Sequence, residues 1–585
     1  VRFVPASRAS RAAEPFDRDR YKWIALSNTT LSTLIATIDL SVVLIALPDI
    51  FRGIRINPLQ PGNTSYLLWL LMGFMIVTAV LVVTLGRLGD MFGRVRIYNL
   101  GYVVFTIFSI ALAVTWMHGV DAALWLIVMR VFQGLGAAML LANSSAILTD
   151  AFPPNQRGLA LGINNIAGIT GTTIGLVLGG VLAPISWRLV FLISVPIGLF
   201  GTVWGYRMLR ELGERHAARI DWWGNLLFAG GLIAVMVGIT YGIQPYHGAA
   251  MGWGNPMVLA ELAGGVALLV AFVAVELRAP EPMLDLRLFK LRAFVAGNVA
   301  SLLGAIGRGG LQLMLVIWLQ GIWLPLHGYD FATTPLWAGI AILPLSAGFL
   351  VAGPLSGILS DRHGTRRLAV TGLLIAAVSL ALLSALPVDF SYAWFGVLLF
   401  VFGVGNGMFA APNRAAIMNS LPPWRRGIGS GIASTCQNSG QVLSIGLYFT
   451  LMIVGLAAKL PHALFAGLTA HGVPVATAAR ISHLSPVSTL FSSLLGANPI
   501  RSLVGGGTLH TLTHAQVAAL TGRRFFPTLI SPAFAGALTA ALRFSVVAFV
   551  VAAGASWLRG GTYSWSAEQA GEEEAVRGAA PALSP

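Results

Sequence analysis

Charge is what this sequence has least of. Only 10% of its 585 residues are Asp, Glu, Lys or Arg, where soluble proteins carry roughly 25%. With 56% hydrophobic residues and a mean hydropathy of +0.78, a water-soluble fold of this size would leave apolar surface that it could not hide. Soluble enzymes and nucleic-acid binders are therefore all but excluded. Cysteine is almost missing too. The single Cys436 rules out an intrachain disulfide and any cysteine metal cluster. Lysine is nearly absent, with 3 Lys against 34 Arg, a bias that fits a GC-rich bacterial genome and carries no mechanism. The first residues, RASRAAEPFDRDRYKW, are too charged for a signal peptide, and no small-residue cleavage site follows. What is present is long apolar runs, so the chain reads as a polytopic membrane protein.

A helix needs about 20 apolar residues to cross the hydrocarbon. Fourteen such runs are expected, at 23–50, 66–86, 98–117, 122–148, 158–184, 188–206, 223–243, 257–277, 293–322, 336–358, 368–387, 391–418, 427–457 and 533–557. The net charge of +15 then has a topological reading, because basic residues collect on cytoplasmic loops. With both termini inside, the short outer loops hold only Arg52, Arg55 and Arg188. Most other basic residues fall inside. Arg130, Arg308, Arg414 and Arg543 lie within spans, and the long 458–532 loop holds five more.

The chain repeats itself at an offset near 270 residues. Gly86-Arg87-Leu88-Gly89-Asp90-Met91-Phe92-Gly93-Arg94-Val95-Arg96 follows the second span, and Gly357-Ile358-Leu359-Ser360-Asp361-Arg362-His363-Gly364-Thr365-Arg366-Arg367 follows the tenth; both read G-x-x-x-D-x-x-G-x-x-R. A second pair, FPPNQRGLALGI at 152–163 and LPPWRRGIGSGI at 421–432, is identical at six of twelve positions. Two parallel six-helix bundles related by an axis along the membrane normal produce this pattern. The division expected is a tail at 1–22, a first bundle at 23–206, an inserted pair with its loops at 207–292, a second bundle at 293–557 interrupted by an outer loop at 458–532, and a tail at 558–585.

On these motifs the chain resembles the major facilitator superfamily, in particular its fourteen-helix drug:proton antiporter branch. WRLVFLISVPIG at 187–198 is similar to the family's span five–six junction, and PMLDLRLFKLRAF at 282–294 to its inserted-pair exit. Three positions depart from the family pattern: Ser41 for Thr, Leu44 for Asn, and Leu176 for the proline of the span-five glycine motif. The resemblance implies an all-α integral membrane fold of two six-helix bundles plus two inserted helices.

It also implies roles. Gly86, Asp90, Gly93 and Arg94, with their counterparts Gly357, Asp361, Gly364 and Arg366, would form a latch holding the halves together on the cytoplasmic side in the outward-facing state. Asp39 lies about 16 Å deep in span one and Arg130 about 12 Å deep in span four, a matched depth that an ion pair requires. An ionisable group so deep is functional by default, and the resemblance assigns such a pair to proton coupling; the plainer alternative is a structural ion pair. Gly168, Gly171, Gly175 and Gly179 fall on one helical face where backbones can approach. In the family that face lies between the halves, and Gly353 and Gly357 would oppose it.

Polar and aromatic residues within spans mark a candidate cavity: Phe74, Gln133, Asn143, Arg308, Gln312, Asn406 and Asn413, with Trp69, Trp318 and Phe402. Interhelical hydrogen bonding is the alternative for each polar one. Buried arginines outnumber buried acids: only Asp39 is comparably deep, with Glu261 and Glu276 near span ends. The substrate expected is therefore a neutral, zwitterionic or anionic amphiphile, a lipid included, rather than a dication. No cofactor is expected, the proton gradient supplying the energy. The partners expected are substrate, protons and lipid bilayer, with no nucleic acid.

The 458–532 segment is apolar-rich and broken by Pro and Gly, which predicts a small helical cap over the outer exit or a docking surface for an envelope partner. Its histidines, His462, His471, His483, His510 and His514, lack tight ligand spacing, so no metal is expected. Four functions compete: drug export against protons, export of a lipid or cell-envelope precursor, a non-transporting sensor or scaffold, and a membrane enzyme. The last lacks zinc spacing, a nucleophile elbow or a phosphate-binding loop.

Overall fold

A computed structural model describes residues 17–57, 60, 62–153, 156–212, 221–247, 249, 251–279, 286–421, 426–495, 498 and 500–560. Fourteen helices are long and apolar enough to cross a membrane. Thirteen come first: α1 Arg18–Gly53, α2 Asn63–Phe92, α3 Arg94–Ala113, α4 Gly119–Ala151, α5 Arg157–Ile185, α6 Ser194–Met208, α7 Trp222–Gly242, α8 Pro256–Glu276, α9 Arg292–Trp318, α10 Thr334–His363, α11 Thr365–Ser384, α12 Tyr392–Asn419 and α13 Arg426–Ala470. A one-turn helix, Leu189–Leu192, precedes α6, and a π-turn, Leu319–Trp323, carries α9 on to Leu326. Five short helices follow α13: α14 Val475–Ser482, α15 Pro486–Leu494, α16 Ile500–Val504, α17 Gly506–His510 and α18 His514–Thr521. Helix α19, Phe525–Trp557, is the fourteenth span. Among the described residues the only bridge of β type joins Tyr246 to Ala249.

Local chemistry explains the ends. The Asp17 carboxylate accepts from the Asp19 and Arg20 amides and starts α1. Gly93 ends α2 and begins α3 with φ +111°, and Gly364 ends α10 and begins α11 with φ +83°. The two repeats thus turn on the same positive-φ glycine, a backbone conformation that a side chain would strain.

The spans run alternately, so one face carries the ends of α1 and α19 nearest the chain termini and the opposite face carries 458–532. Helices α1–α6 form one bundle; α9–α13 with α19 form the other. The inserted pair α7–α8 packs at the seam. Thr84 Oγ1 on α2 donates to Asn225 Oδ1 on α7 (2.5 Å), Thr240 Oγ1 on α7 reaches Met72 Sδ (3.5 Å), and Ile239 fills the space over Gly446 on α13.

Several boundaries differ from expectation. The largest shifts are at α13, which runs on to Ala470 rather than 457, and at α19, which begins at Phe525 rather than 533. The extensions pass through Pro461 and Pro532, where an apolar-run criterion stops. They continue because the neighbouring helices bury them: Leu460, Leu464, Leu468, Phe526 and Ile530 are all core residues. The cap is helical, as expected. All but one residue of α15 besides its N-cap is buried, and Ser493 on it donates to the Gly321 carbonyl inside the π-turn (2.7 Å).

Candidate functional site

Asp39 on α1 and Arg130 on α4 are both fully buried and paired. Arg130 Nη1 donates to Asp39 Oδ2 and to Gln133 Oε1 (2.7 Å). Gln133 Nε2 in turn donates to Asp39 Oδ1 (2.9 Å) and to Ser109 Oγ (2.8 Å). Both carboxylate oxygens are therefore engaged, while Arg130 Nε and Nη2 have no hydrogen-bond partner among the described residues. One face of the guanidinium lies 4.3 Å from the Phe74 ring centroid, close enough for a cation–π contact. Gln133 follows Arg130 by three positions, which puts both on one side of α4. Ser109 gave no signal in the sequence.

A cavity of about 430 Å³ lies between the bundles. Phe74, Arg308, Gln312, Asn406 and Phe402 line it, along with Thr37, Asn164 and Asn165 from the first half and Arg414, Gln437 and Gln441 from the second. Neither Asp39 nor Arg130 does. Phe74 is common to both: its ring packs on Arg130 and the residue lines the cavity. No Asp or Glu is among the lining residues.

Several expected cavity residues lie elsewhere. Gln133 belongs to the ion-pair network. Asn143 is buried over Gly89 and donates to the carbonyls of Met139 (2.9 Å) and Leu85 (3.4 Å). Asn413 donates to Gly297 O (3.0 Å) and Ser301 Oγ (2.7 Å) and accepts from Arg559. Burial pulls the Arg559 guanidinium down to a pKa of about 10. Trp69 sits beside Tyr241 and Trp318 in a ring cluster with Phe390 and Phe395. A polar group within a span must find a partner, and helical periodicity does not say whether that partner is a neighbouring helix or a cavity.

The cavity is closed toward the cap face and reaches toward the terminal face. At its cap side α5 meets α10: a β-carbon on Gly339 would stand 2.8 Å from the Leu176 carbonyl, and one on Gly180 2.4 Å from Leu336 Cα. Gln320 Nε2 also crosses the seam to Ile45 O (3.1 Å). On the terminal side the lining includes Leu161 and Asn164 near the start of α5 and Ser434 near the start of α13.

The span two–three motif closes within one half. Arg94 Nε donates to Asp90 Oδ1 (2.8 Å) and Nη1 to Asp150 Oδ1 (2.6 Å). The Glu211 carboxylate accepts from the Arg94 (2.8 Å) and Val95 (3.2 Å) amides at the start of α3, a helix N-terminus where an anion is favoured. Asp150 and Glu211 lie far from the motif in sequence and were missed for that reason. Gly86 has only Ala142 near it, at 3.8 Å. In the second half Arg366 stacks on the Trp557 ring at 4.1 Å, Gly357 lies near Ala411, and the Asp361 side chain lies outside the described residues. Among the described residues these contacts stay within their own halves, in a conformation whose cavity reaches the terminal face rather than the outward-facing one in which the latch is expected to close.

The glycine face requires a correction. Gly171, Gly175 and Gly179 pack on α1 of the same bundle, where added β-carbons would stand 2.8, 2.6 and 2.9 Å from the carbonyls of Leu34, Ile38 and Val42. Gly168 meets Thr33 at 3.4 Å. Gly353 and Gly357 do not oppose them. The neighbouring Gly180 and Leu176, one helical step around, make the contact between halves. Among the described residues no three His, Cys, Asp or Glu gather to hold a metal.

Comparison with known proteins identifies the family and the fold. The sequence model described as Major Facilitator Superfamily matches residues 29–445. The chain is similar to the riboflavin transporter of Clostridioides difficile (27% identical, covering 73% of this chain and 88% of that one). It is also similar to the tetracenomycin C resistance and export protein of Streptomyces glaucescens (28% identical, covering 74% and 76%). Among solved structures, the fold matches a bacterial homologue of the human lysosomal transporter Spinster in an inward-facing and occupied conformation. The TM-score is 0.53 with 17% identity, covering 94% of this chain and 99% of that one.

Proposed function

The chain belongs to the major facilitator superfamily, and from that premise we propose that it exports a hydrophobic or amphiphilic small molecule across the cell membrane in exchange for protons. It is a multi-pass transporter rather than an enzyme. The resistance-and-export relative supports the direction of transport. The excess of basic residues in the loops of the terminal face supports a cytoplasmic location for both termini, and under that assignment the cavity faces the cytoplasm.

The observation that carries the coupling is the dry Asp39–Arg130 pair packed against Phe74. A proton on Asp39 would cancel the charge that holds Arg130, leaving a buried guanidinium that must find new partners. Phe74 touches both the guanidinium and the cavity, so an arriving substrate and the ion pair compete through one ring. Release of the proton and closure of the terminal face then belong to the same rearrangement, in which each ligand acts by preferring one of two states.

The test is proton release from purified protein in detergent as candidate substrates are added, comparing wild type with Asp39→Asn. Release by wild type and none by the variant supports antiport. Equal release from both removes Asp39 from the coupling. A response to lipids alone turns the reading toward export of a lipid or envelope precursor.

A further inference from the structure

We propose that the cavity receives the anionic head of an amphiphile at Arg308, with Arg414 adding positive charge nearer the terminal face; this rests on the transport reading above and names its substrate class. Among the described residues two guanidinium groups line the cavity and no carboxylate does. Arg308 has no hydrogen-bond or ion-pair partner among the described residues, and Arg414 has only the Ser430 hydroxyl at 3.3 Å. Asp39 does not balance them, since both its oxygens are held by Arg130 and Gln133 outside the cavity. Charge at mid-membrane depth is costly and persists where it serves a ligand or pathway.

The backbone around Arg308 is built to present it. Ser444 on α13 is spliced into the α9 turn: its hydroxyl accepts from the Gly310 amide (2.8 Å) and donates to the Ile306 carbonyl (2.5 Å), the acceptor that Gly310 has in an unbroken helix. Tyr448 donates to the Gly307 carbonyl (3.1 Å). Gly309 lets the α13 backbone come close, where a β-carbon would stand 2.8 Å from Gln441 O. Arg308 thus rides on a helix turn pinned from behind by α13. Phe74, Phe349 and Phe402 supply apolar wall for the rest of the molecule. A carboxylate, sulfonate or phosphate head fits this chemistry, and a guanidinium binds each of them through paired hydrogen bonds.

The full chain, purified in non-ionic detergent, is titrated with three dansyl amphiphiles of one linker length that end in a carboxylate, an amide or a trimethylammonium group, read by dye polarisation. The carboxylate dye is expected to bind about tenfold or more tightly than the trimethylammonium dye. Arg308→Gln is expected to weaken the carboxylate dye alone by about tenfold, Arg414→Gln to weaken it less, and Arg308→Lys to retain most of its binding. Equal or tighter binding of the trimethylammonium dye to wild type overturns the proposal, whatever the variants do. So does carboxylate binding that Arg308→Gln does not weaken. Competition with vesicle-delivered phosphatidylglycerol and phosphatidylcholine separates the sources: displacement by phosphatidylglycerol alone assigns the head to a lipid, and no displacement assigns it to a soluble anion. Proton release is followed in the same samples. Carboxylate binding without release overturns antiport and leaves the anion site standing, whereas release without head-group preference does the reverse.

Discussion

Asp39 and Arg130 show how much rests on two side chains. Removing one partner of a buried ion pair leaves an uncompensated charge and costs about 3–5 kcal/mol. Asp39→Asn is therefore expected to lower the thermal midpoint as well as abolish proton release, and pairing it with Arg130→Met should restore the midpoint without restoring release. A midpoint unaffected by Asp39→Asn would mean that the pair is not held dry. Phe74 packs on Arg130 and lines the cavity. Phe74→Ala is expected to admit water to Arg130 and to let a pH gradient across proteoliposomes decay without substrate; an intact gradient would deny Phe74 its partition role. The pair could be anticipated from matched depth in two apolar spans. Phe74 was flagged only as an aromatic near a cavity, because nothing in its spacing tells which neighbour its ring meets.

At the scale of helices, the α1–α5 crossing is the tightest feature of the first bundle that bears on the site. A β-carbon at Gly175 would stand 2.6 Å from Ile38 O and 3.0 Å from Ile38 Cα, and backbone cannot rotate aside as the nearby Ser41 hydroxyl can. Gly175→Ala is expected to cost about 1–3 kcal/mol, read as a lower thermal midpoint and reduced transport. Gly162→Ala and Gly431→Ala, with no atom within 4 Å of the added carbon, are expected to leave both unchanged. The same midpoint in all three variants would mean that α1 and α5 are free to separate. The crossing matters for function because Asp39 sits on α1 one residue after Ile38, so a spread crossing moves the acid relative to Arg130.

The molecule as a whole has its halves in contact on the cap face and a cavity that reaches the terminal face. In a Cys436→Ser background, Asn164→Cys is expected to react with a membrane-impermeant maleimide added from the terminal face and to be protected by substrate. Leu176→Cys, buried at the seam, is expected to stay unlabelled from either face until a proton gradient drives the chain to its other state. Labelling of Leu176→Cys at rest would show that the seam is open. The cap belongs to this scale as well. Ser493 binds the π-turn of α9, and Phe491 lies 5.8 Å from Phe449 of α13, so any opening of the cap face has to carry 458–532 with it.

Fourteen spans, two repeated halves, an inserted pair and a deep acid–arginine pair were all legible in the amino-acid order. Hydropathy over twenty residues is set by the bilayer thickness, and a duplicated G-x-x-x-D-x-x-G-x-x-R survives as pattern whatever it touches. The tertiary structure alone decided what each face meets. Gln133 turned to Asp39, Asn413 to Gly297 and Ser301, and the α5 glycines to α1 rather than to the other half; Asp150 and Glu211 joined a motif more than fifty residues away. Helical periodicity places residues on a common face, but the rotation of each helix, and so the neighbour that face finds, comes from close packing among all fourteen.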